Sequence, residues 1–191
     1  MQHILTPKAK IIPPFCWWQG CFNDEELNYL QNIARNASEQ AQIGGIQSVN
    51  EEIRRSSISW VAKNQENYWV FEKLAEVVSN INRDHYGFDL LGFNEKLQLT
   101  NYSSENQGTY NWHQDFNANA SRKLSLVLQL SEPSDYEGGN LQVLTNSDPM
   151  TVEKKRGLIT LFPSWTLHQV TPVTRGSRQT LVTWICGAPF K

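Results

Sequence analysis

The chain has 191 residues, 39% of them hydrophobic, which is long and apolar enough for a full core, and a single domain over residues 1–191 without a linker is expected. A formal net charge of −2 and a pI near 6.1 give no global attraction for nucleic acid or an anionic membrane, so neither is expected as a partner. Cys16, Cys21 and Cys186 lack CxxC spacing, which argues against a disulfide framework or a zinc knuckle, and the N-terminus lacks the apolar region of a signal peptide; a soluble, cytoplasmic protein is expected.

In chain order, Pro13-Pro14 excludes helix near the start, while Ile11-Ile12 and Phe15 to Trp18 suit a strand that packs, so residues 1 to 21 read as extended. Asn23-Asp24 offers an N-cap, Glu25 and Glu26 suit a first turn, and Leu27, Leu30, Ile33 and Ala34 follow helical spacing. This predicts a helix of about five turns ending before Gly44-Gly45. Within Val49 to Lys63, the run Ser57-Ile58-Ser59-Trp60-Val61 alternates as a strand does. Asn64 to Arg83 is a second predicted helix, with Trp69, Val70, Leu74, Val77, Val78 and Ile81 as its core stripe, and His85 beside Tyr86-Gly87 is expected to cap its end or face solvent.

From Phe93 onward the pattern is strand and turn: Lys96 to Tyr102, Tyr110 to Asp115, Arg122 to Leu130, Asn140 to Leu144, Met150 to Val152, Leu158 to Phe162, Leu167 to Val170 and Gln179 to Cys186. Helices followed by strands without βαβ alternation predict a mainly β fold with N-terminal helices, a double-stranded β-helix (jelly roll) with the helices packed on one sheet. Residues 1–92 would form the helical support and 93–191 the jelly-roll core. Gly138-Gly139 reads as a turn, Arg54-Arg55 as a solvated pair or, on a loop near a substrate mouth, as one that could steer an acidic peptide, and most of the seven tryptophans as core; Trp112 and Trp165 adjoin candidate ligands, and Trp17-Trp18 is a candidate exposed patch.

The stretch with most chemistry is Tyr102 to Asp115, and above all His113-Gln114-Asp115. Side chains two apart on a strand share a face, so an imidazole and a carboxylate here can grip one cation. His-x-Asp also arises by chance, and a lone histidine on an apolar strand is more often a core residue. His168 supplies a third donor, from a strand across the barrel, and two histidines with one carboxylate form the facial triad of non-heme Fe(II) oxygenases. Arg178 either points to solvent, the commoner fate, or is a buried cation that requires an anion. A dicarboxylate such as 2-oxoglutarate, chelating iron at one end and meeting Arg178 and Tyr102 at the other, satisfies both groups at once.

The segment Leu124 to Phe190 resembles the bacterial hydroxylases of the iron- and 2-oxoglutarate-dependent, prolyl-hydroxylase-like group, most closely in the run from His168 to Arg178. Ile53 to Val61, and the order Tyr102, Tyr110, His113-x-Asp115, are similar to the hypoxia-sensing and collagen-type prolyl hydroxylases. The resemblance implies a dioxygenase with Fe(II) on His113, Asp115 and His168, and 2-oxoglutarate as co-substrate held by Tyr102 and Arg178. Dioxygen would be consumed, succinate and carbon dioxide released, and a prolyl residue of a peptide or protein hydroxylated, with ascorbate a candidate reductant. By the same analogy Tyr110, Arg122 and Trp184 line the substrate mouth, and the Arg54 to Ser59 region is a mobile loop or hairpin closing over it.

The chain departs from the hypoxia-type pattern at Gln129, where a tyrosine meeting the distal carboxylate is expected, and around Ser56, where an acidic residue is replaced. Gln129 can still donate a hydrogen bond to the co-substrate. Arg178 sides with the hypoxia-type and bacterial groups against the lysine of collagen-type enzymes. Two other readings stay open: the same cofactors acting on a free amino acid, another side chain or a small molecule, and a metal-binding jelly-roll module or zinc hydrolase without redox activity.

Overall fold

Asn23 starts the first helix as its side chain suggests. In the computed structural model, which describes residues 11–41, 50–116, 121–145 and 147–188, the Asn23 Oδ1 accepts from the Glu26 N–H at 2.9 Å, and the Glu26 carboxylate accepts from the Asn23 N–H at 2.9 Å. This capping box satisfies two otherwise orphaned donors. The helix, α1 (Asp24–Arg35), has 12 residues rather than five turns. It stops where the Asn36 side chain bonds the Asn32 carbonyl, offering the backbone a local alternative to the helix, and the next residues are drawn into a sheet. The expected boundary at Gly44-Gly45 lies outside the described residues, as does the segment 1–10.

The second helix, α2 (Tyr68–Ile81), begins later than Asn64 because Asn64 instead caps a preceding turn, accepting from the Asn67 N–H through its side chain. Val70, Phe71, Leu74, Val77, Val78 and Ile81 are buried, whereas Trp69 is only half-buried. A single π turn, Asn82–Tyr86, follows and ends at Gly87 in the left-handed region, with His85 exposed. No helix among the described residues is long and apolar enough to cross a membrane.

The strands are β1 (Cys16–Trp18), β2 (Glu39–Gln40), β3 (Arg54–Arg55), β4 (Ser57–Val61), β5 (Leu90–Gly92), β6 (Leu97–Ser103), β7 (Thr109–His113), β8 (Arg122–Gln129), β9 (Tyr136–Gly138), β10 (Leu141–Thr145), β11 (Asp148–Thr151), β12 (Ile159–Pro163), β13 (His168–Val170) and β14 (Val173–Gly187). Each strand expected from Phe93 onward is present, with shifted ends; the largest shift is in β14, which starts well before Gln179. One antiparallel sheet runs β1-β12-β8-β14-β6-β4-β2, with β5 and β9 also on β14, and a smaller antiparallel sheet runs β11-β10-β13-β7-β3. The fold is the mainly β double-stranded β-helix with helices on one sheet.

Strand alternation decides which side chains reach the site. On β8, Leu124, Leu126 and Leu128 join the cluster with α1 and α2, together with Leu97, Leu99, Ile159, Leu161, Leu181 and Ile185. The residues between them, Ser125, Val127 and Gln129, therefore face the interior between the sheets, where Tyr102, Val143, Phe162, Val170 and Val173 form a second cluster. By the same period β14 presents Arg178, Thr180, Val182 and Trp184 to this interior.

Three expectations are corrected. Of the seven tryptophans, only Trp184 is buried, since the large amphipathic ring is readily left at a sheet edge or rim. Arg54-Arg55 is not a solvated pair: Arg54 is buried, and Arg55 donates to the carbonyls of Gln107 and Glu51. Nor does Arg54 to Ser59 form a loop or a hairpin of its own, because β3 pairs with β7 and β4 with β6, which ties this segment to both sheets.

Candidate active site

His113 ends β7, and His168 opens β13 directly opposite it, the two being register partners in the smaller sheet. His168 thus comes from the neighbouring strand rather than from across the barrel. Asp115 lies two residues beyond the end of β7, where Ser164 holds the chain: the N–H groups of Asp115 and Phe116 both donate to the Ser164 carbonyl at 2.9 Å. The turn, rather than strand alternation, brings the carboxylate round to the imidazoles. One donor atom from each of His113, Asp115 and His168 lies within 4.8 Å of the others.

The protonation of both rings is set by the backbone. His113 Nδ1 lies 2.7 Å from the Asn111 carbonyl and His168 Nδ1 2.9 Å from the Thr166 carbonyl. A carbonyl can only accept, so each Nδ1 carries the hydrogen, which leaves Nε2 as the ring nitrogen available to a metal. Those Nε2 atoms face Asp115, at 3.8 Å from Oδ1 for His113 and 3.4 Å from Oδ2 for His168. Burial, with His168 alongside, pushes His113 down to about 3, so it is a neutral donor at ordinary pH. Burial pushes the Asp115 carboxyl up, but His168 and His113, followed by Ser125 and Trp184, outweigh it and hold the group below its ordinary value. The Trp184 indole N–H is buried without a well-aligned hydrogen-bond partner, so its part at Asp115 is that of a nearby dipole rather than a full hydrogen bond. Two imidazoles presenting Nε2 and a carboxylate, with their donor atoms converging, fit a divalent transition metal with open positions.

On the interior side, Arg178 is 3% exposed and is the register partner of Tyr102, whose ring centroid lies 5.8 Å from the guanidinium carbon. The Arg178 Nε donates to Gln129 Oε1 at 3.1 Å, and among the described residues no carboxylate pairs with it. Gln129 is committed elsewhere too, donating to the Ser131 carbonyl and to the Tyr136 hydroxyl at 3.2 and 3.1 Å. It therefore orients Arg178 instead of standing free for a ligand. The Thr180 hydroxyl on the same face is buried without a partner among the described residues. A pocket at this place is lined by Arg178, Gln129, Tyr136, Thr160 and Lys154, among others.

Of the residues expected at the substrate mouth, Tyr110 stacks on His113 with ring centroids 3.4 Å apart, and the Arg54 guanidinium lies 4.7 Å from the Tyr110 centroid. Arg122 covers Trp184 at 3.8 Å but is engaged: Glu95 grips its Nε and Nη2 at 2.7 and 2.5 Å, and its Nη1 donates to the Asp115 carbonyl. Sequence reasoning missed Glu95, Tyr136 and Lys154. Glu95 sits in a loop without a motif, and Lys154 lies in the run Glu153-Lys154-Lys155-Arg156, which reads as a solvated charge cluster.

Residues 97–186 match the family model of the 2OG-Fe(II) oxygenase superfamily. A PKHD-type hydroxylase of Synechococcus sp. (strain CC9605) is 42% identical over 80 residues, 40% of this chain and 36% of that protein. Another from Prochlorococcus marinus is 37% identical over 93 residues, 47% of this chain and 42% of that protein. The matched stretches thus span well under half the length of these curated relatives. In fold, the chain is similar to a Pseudomonas putida prolyl-4-hydroxylase, with a TM-score of 0.73 at 23% identity over 91% of this chain and 92% of the other. It is also similar to a prolyl hydroxylase of Trichoplax adhaerens solved in complex with a hypoxia inducible factor peptide, with a TM-score of 0.76 at 18% identity over 91% and 84%. Residues 97–186 thus resemble the 2OG-Fe(II) oxygenase superfamily, and the fold as a whole is prolyl 4-hydroxylase-like.

Proposed function

We propose that this chain is an Fe(II)- and 2-oxoglutarate-dependent dioxygenase that hydroxylates a prolyl residue of a peptide or protein. The observation that carries the reading is the joint presence of two imidazoles that turn Nε2 toward Asp115 on the smaller sheet and, on the larger sheet, a buried Arg178 that has no acid partner among the described residues. A zinc hydrolase or a passive metal module has no use for that unpaired cation.

In this reading His113, Asp115 and His168 hold the metal. Bound Fe(II) supplies the redox centre for coupling dioxygen reduction and 2-oxoglutarate decarboxylation to hydroxylation of a C–H bond. The carbonyls of Asn111 and Thr166 keep each histidine in the metal-binding tautomer. Arg178 and Tyr102 bind the distal carboxylate of 2-oxoglutarate, Gln129 fixes the guanidinium plane, and Phe162, fully buried 4.7 Å from His168, excludes water. Tyr110, Arg54, Arg122 and Trp184 shape the mouth that receives substrate. The capture of Arg122 by Glu95 favours a second reading with the same cofactors, in which a free amino acid, another side chain or a small molecule is the substrate.

The test is succinate release with and without a proline-rich peptide, followed by mass analysis of the peptide. Stimulated succinate and one added oxygen on a prolyl residue support the first reading. Stimulation only by free amino acids or small molecules supports the second, and absence of 2-oxoglutarate consumption under all conditions defeats both.

A further inference from the structure

Arg178 is not the only cation at this pocket. Lys154, from the segment between β11 and β12, is half-buried and lines the same pocket, with its Nζ 4.5 Å from the Tyr136 ring centroid and bonded at 2.5 Å to the Gly138 carbonyl. Tyr136 connects the two charges: its hydroxyl accepts from Gln129, whose Oε1 holds Arg178. Gly139 fits between them, since a Cβ there would lie 3.2 Å from both the Arg178 Cδ and the Tyr136 ring. Burial first, and the Arg178 charge second, push the Lys154 amine below its ordinary value. Two like charges thus line one pocket, Lys154 over the Tyr136 ring and Arg178 over that of Tyr102, with Glu153, exposed at the rim, the only acid lining it among the described residues.

We propose that Lys154 is a second binding residue for the distal carboxylate of the co-substrate, making this end of the pocket selective for 2-oxo dicarboxylates. An ammonium has three donors, and the Gly138 carbonyl takes one, leaving two for a carboxylate between Lys154 and Arg178. A carboxylate there relieves the repulsion between the cations and bonds to both. A 2-oxo acid ending in a methyl group leaves the repulsion in place. The inference rests on the reading of this pocket as the 2-oxoglutarate site.

The test measures binding, not turnover. The full chain is loaded with Fe(II) without oxygen, and the visible charge-transfer band is titrated with 2-oxoglutarate and with 2-oxobutanoate, which keeps the chelating end and lacks the distal carboxylate. Lys154→Met weakens 2-oxoglutarate binding about tenfold, the low end for a charge-assisted bond at a half-exposed amine, and leaves 2-oxobutanoate within about twofold. Lys154→Arg restores most of the loss, and Lys154→Gln decides the matter in the same way if the methionine variant does not fold. Unchanged 2-oxoglutarate affinity in the neutral variants, or equal weakening of both ligands, overturns the role of Lys154 while the co-substrate site stands. No 2-oxoglutarate binding to the wild-type chain overturns both.

Discussion

Arg178→Met separates the effect of this cation on the ligand-free protein from its effect on binding. Without ligand, the substitution removes one charged hydrogen bond to Gln129 and leaves its Oε1 short of a donor, a cost of about 1–3 kcal/mol. Against that stands relief of a buried cation without a paired carboxylate, since apolar replacement of buried charge is often neutral or stabilising by about 1–4 kcal/mol. The terms nearly cancel, so the ligand-free variant keeps its stability within about 1.5 kcal/mol, a Tm change under roughly 6 °C for a chain of this size. With ligand the terms share a sign: truncating one partner of a buried, hydrogen-bonded charge pair costs about 2–5 kcal/mol, or about 30-fold to above 1,000-fold in affinity. The assay is thermal unfolding of the Fe(II)-loaded chain across a 2-oxoglutarate series under anaerobic conditions. Wild type gains about 2.7 kcal/mol at 100 times its Kd, and at the same concentration the variant gains from about 0.9 kcal/mol at a 30-fold loss to under about 0.1 kcal/mol at a 1,000-fold loss. A variant that unfolds like wild type and keeps the ligand-dependent rise within threefold in affinity would refute the assignment of Arg178.

Other substitutions and pH test neighbouring parts of the account. Asp115→Ala lowers metal affinity by more than about 100-fold in chelator competition, beyond the 10–100-fold of an outer-shell partner, and abolishes turnover while the fold persists; wild-type turnover would sink the triad. Gly139 has φ +57°, and its Cβ would also lie 2.9 Å from Val173 Cγ2, so Gly139→Ala costs about 1–3 kcal/mol and weakens 2-oxoglutarate binding by displacing the Arg178 stem. An alanine variant with unchanged unfolding and binding would contradict this packing. In metal-free protein His113 titrates near 3 when folded and near its ordinary 6.5 when unfolded, so between those values the unfolded chain holds more protons and stability falls as pH falls. Urea unfolding of wild type and His113→Gln across this range checks the sign, with the variant expected to show the shallower dependence.

Much of the fold and of the candidate site was legible because short-range rules agreed with tertiary structure. The Asn23 to Glu26 box, the stripe of α2 and the alternation of β8 each express one physical constraint within a few residues. The His113, Asp115 and His168 set was visible as residue types, but the reason the atoms converge was not: His168 is the cross-strand neighbour of His113, and Asp115 is turned inward by Ser164. Strand pairings between distant segments also made α1 shorter than its pattern, since β2 takes the residues after Asn36 to extend the sheet at β4. Lys154 was hidden for the opposite reason. A lysine in a charged run is solvated by prior expectation, and only the fold shows this one against Tyr136.

The most direct test of the central claim is anaerobic titration of Fe(II) and 2-oxoglutarate into the wild-type chain and Asp115→Ala, followed in the visible spectrum. The account predicts a metal-to-ligand charge-transfer band in wild type that needs both components and is lost in the variant. Absence of the band in wild type, or an undiminished band in Asp115→Ala, contradicts the assignment of this site.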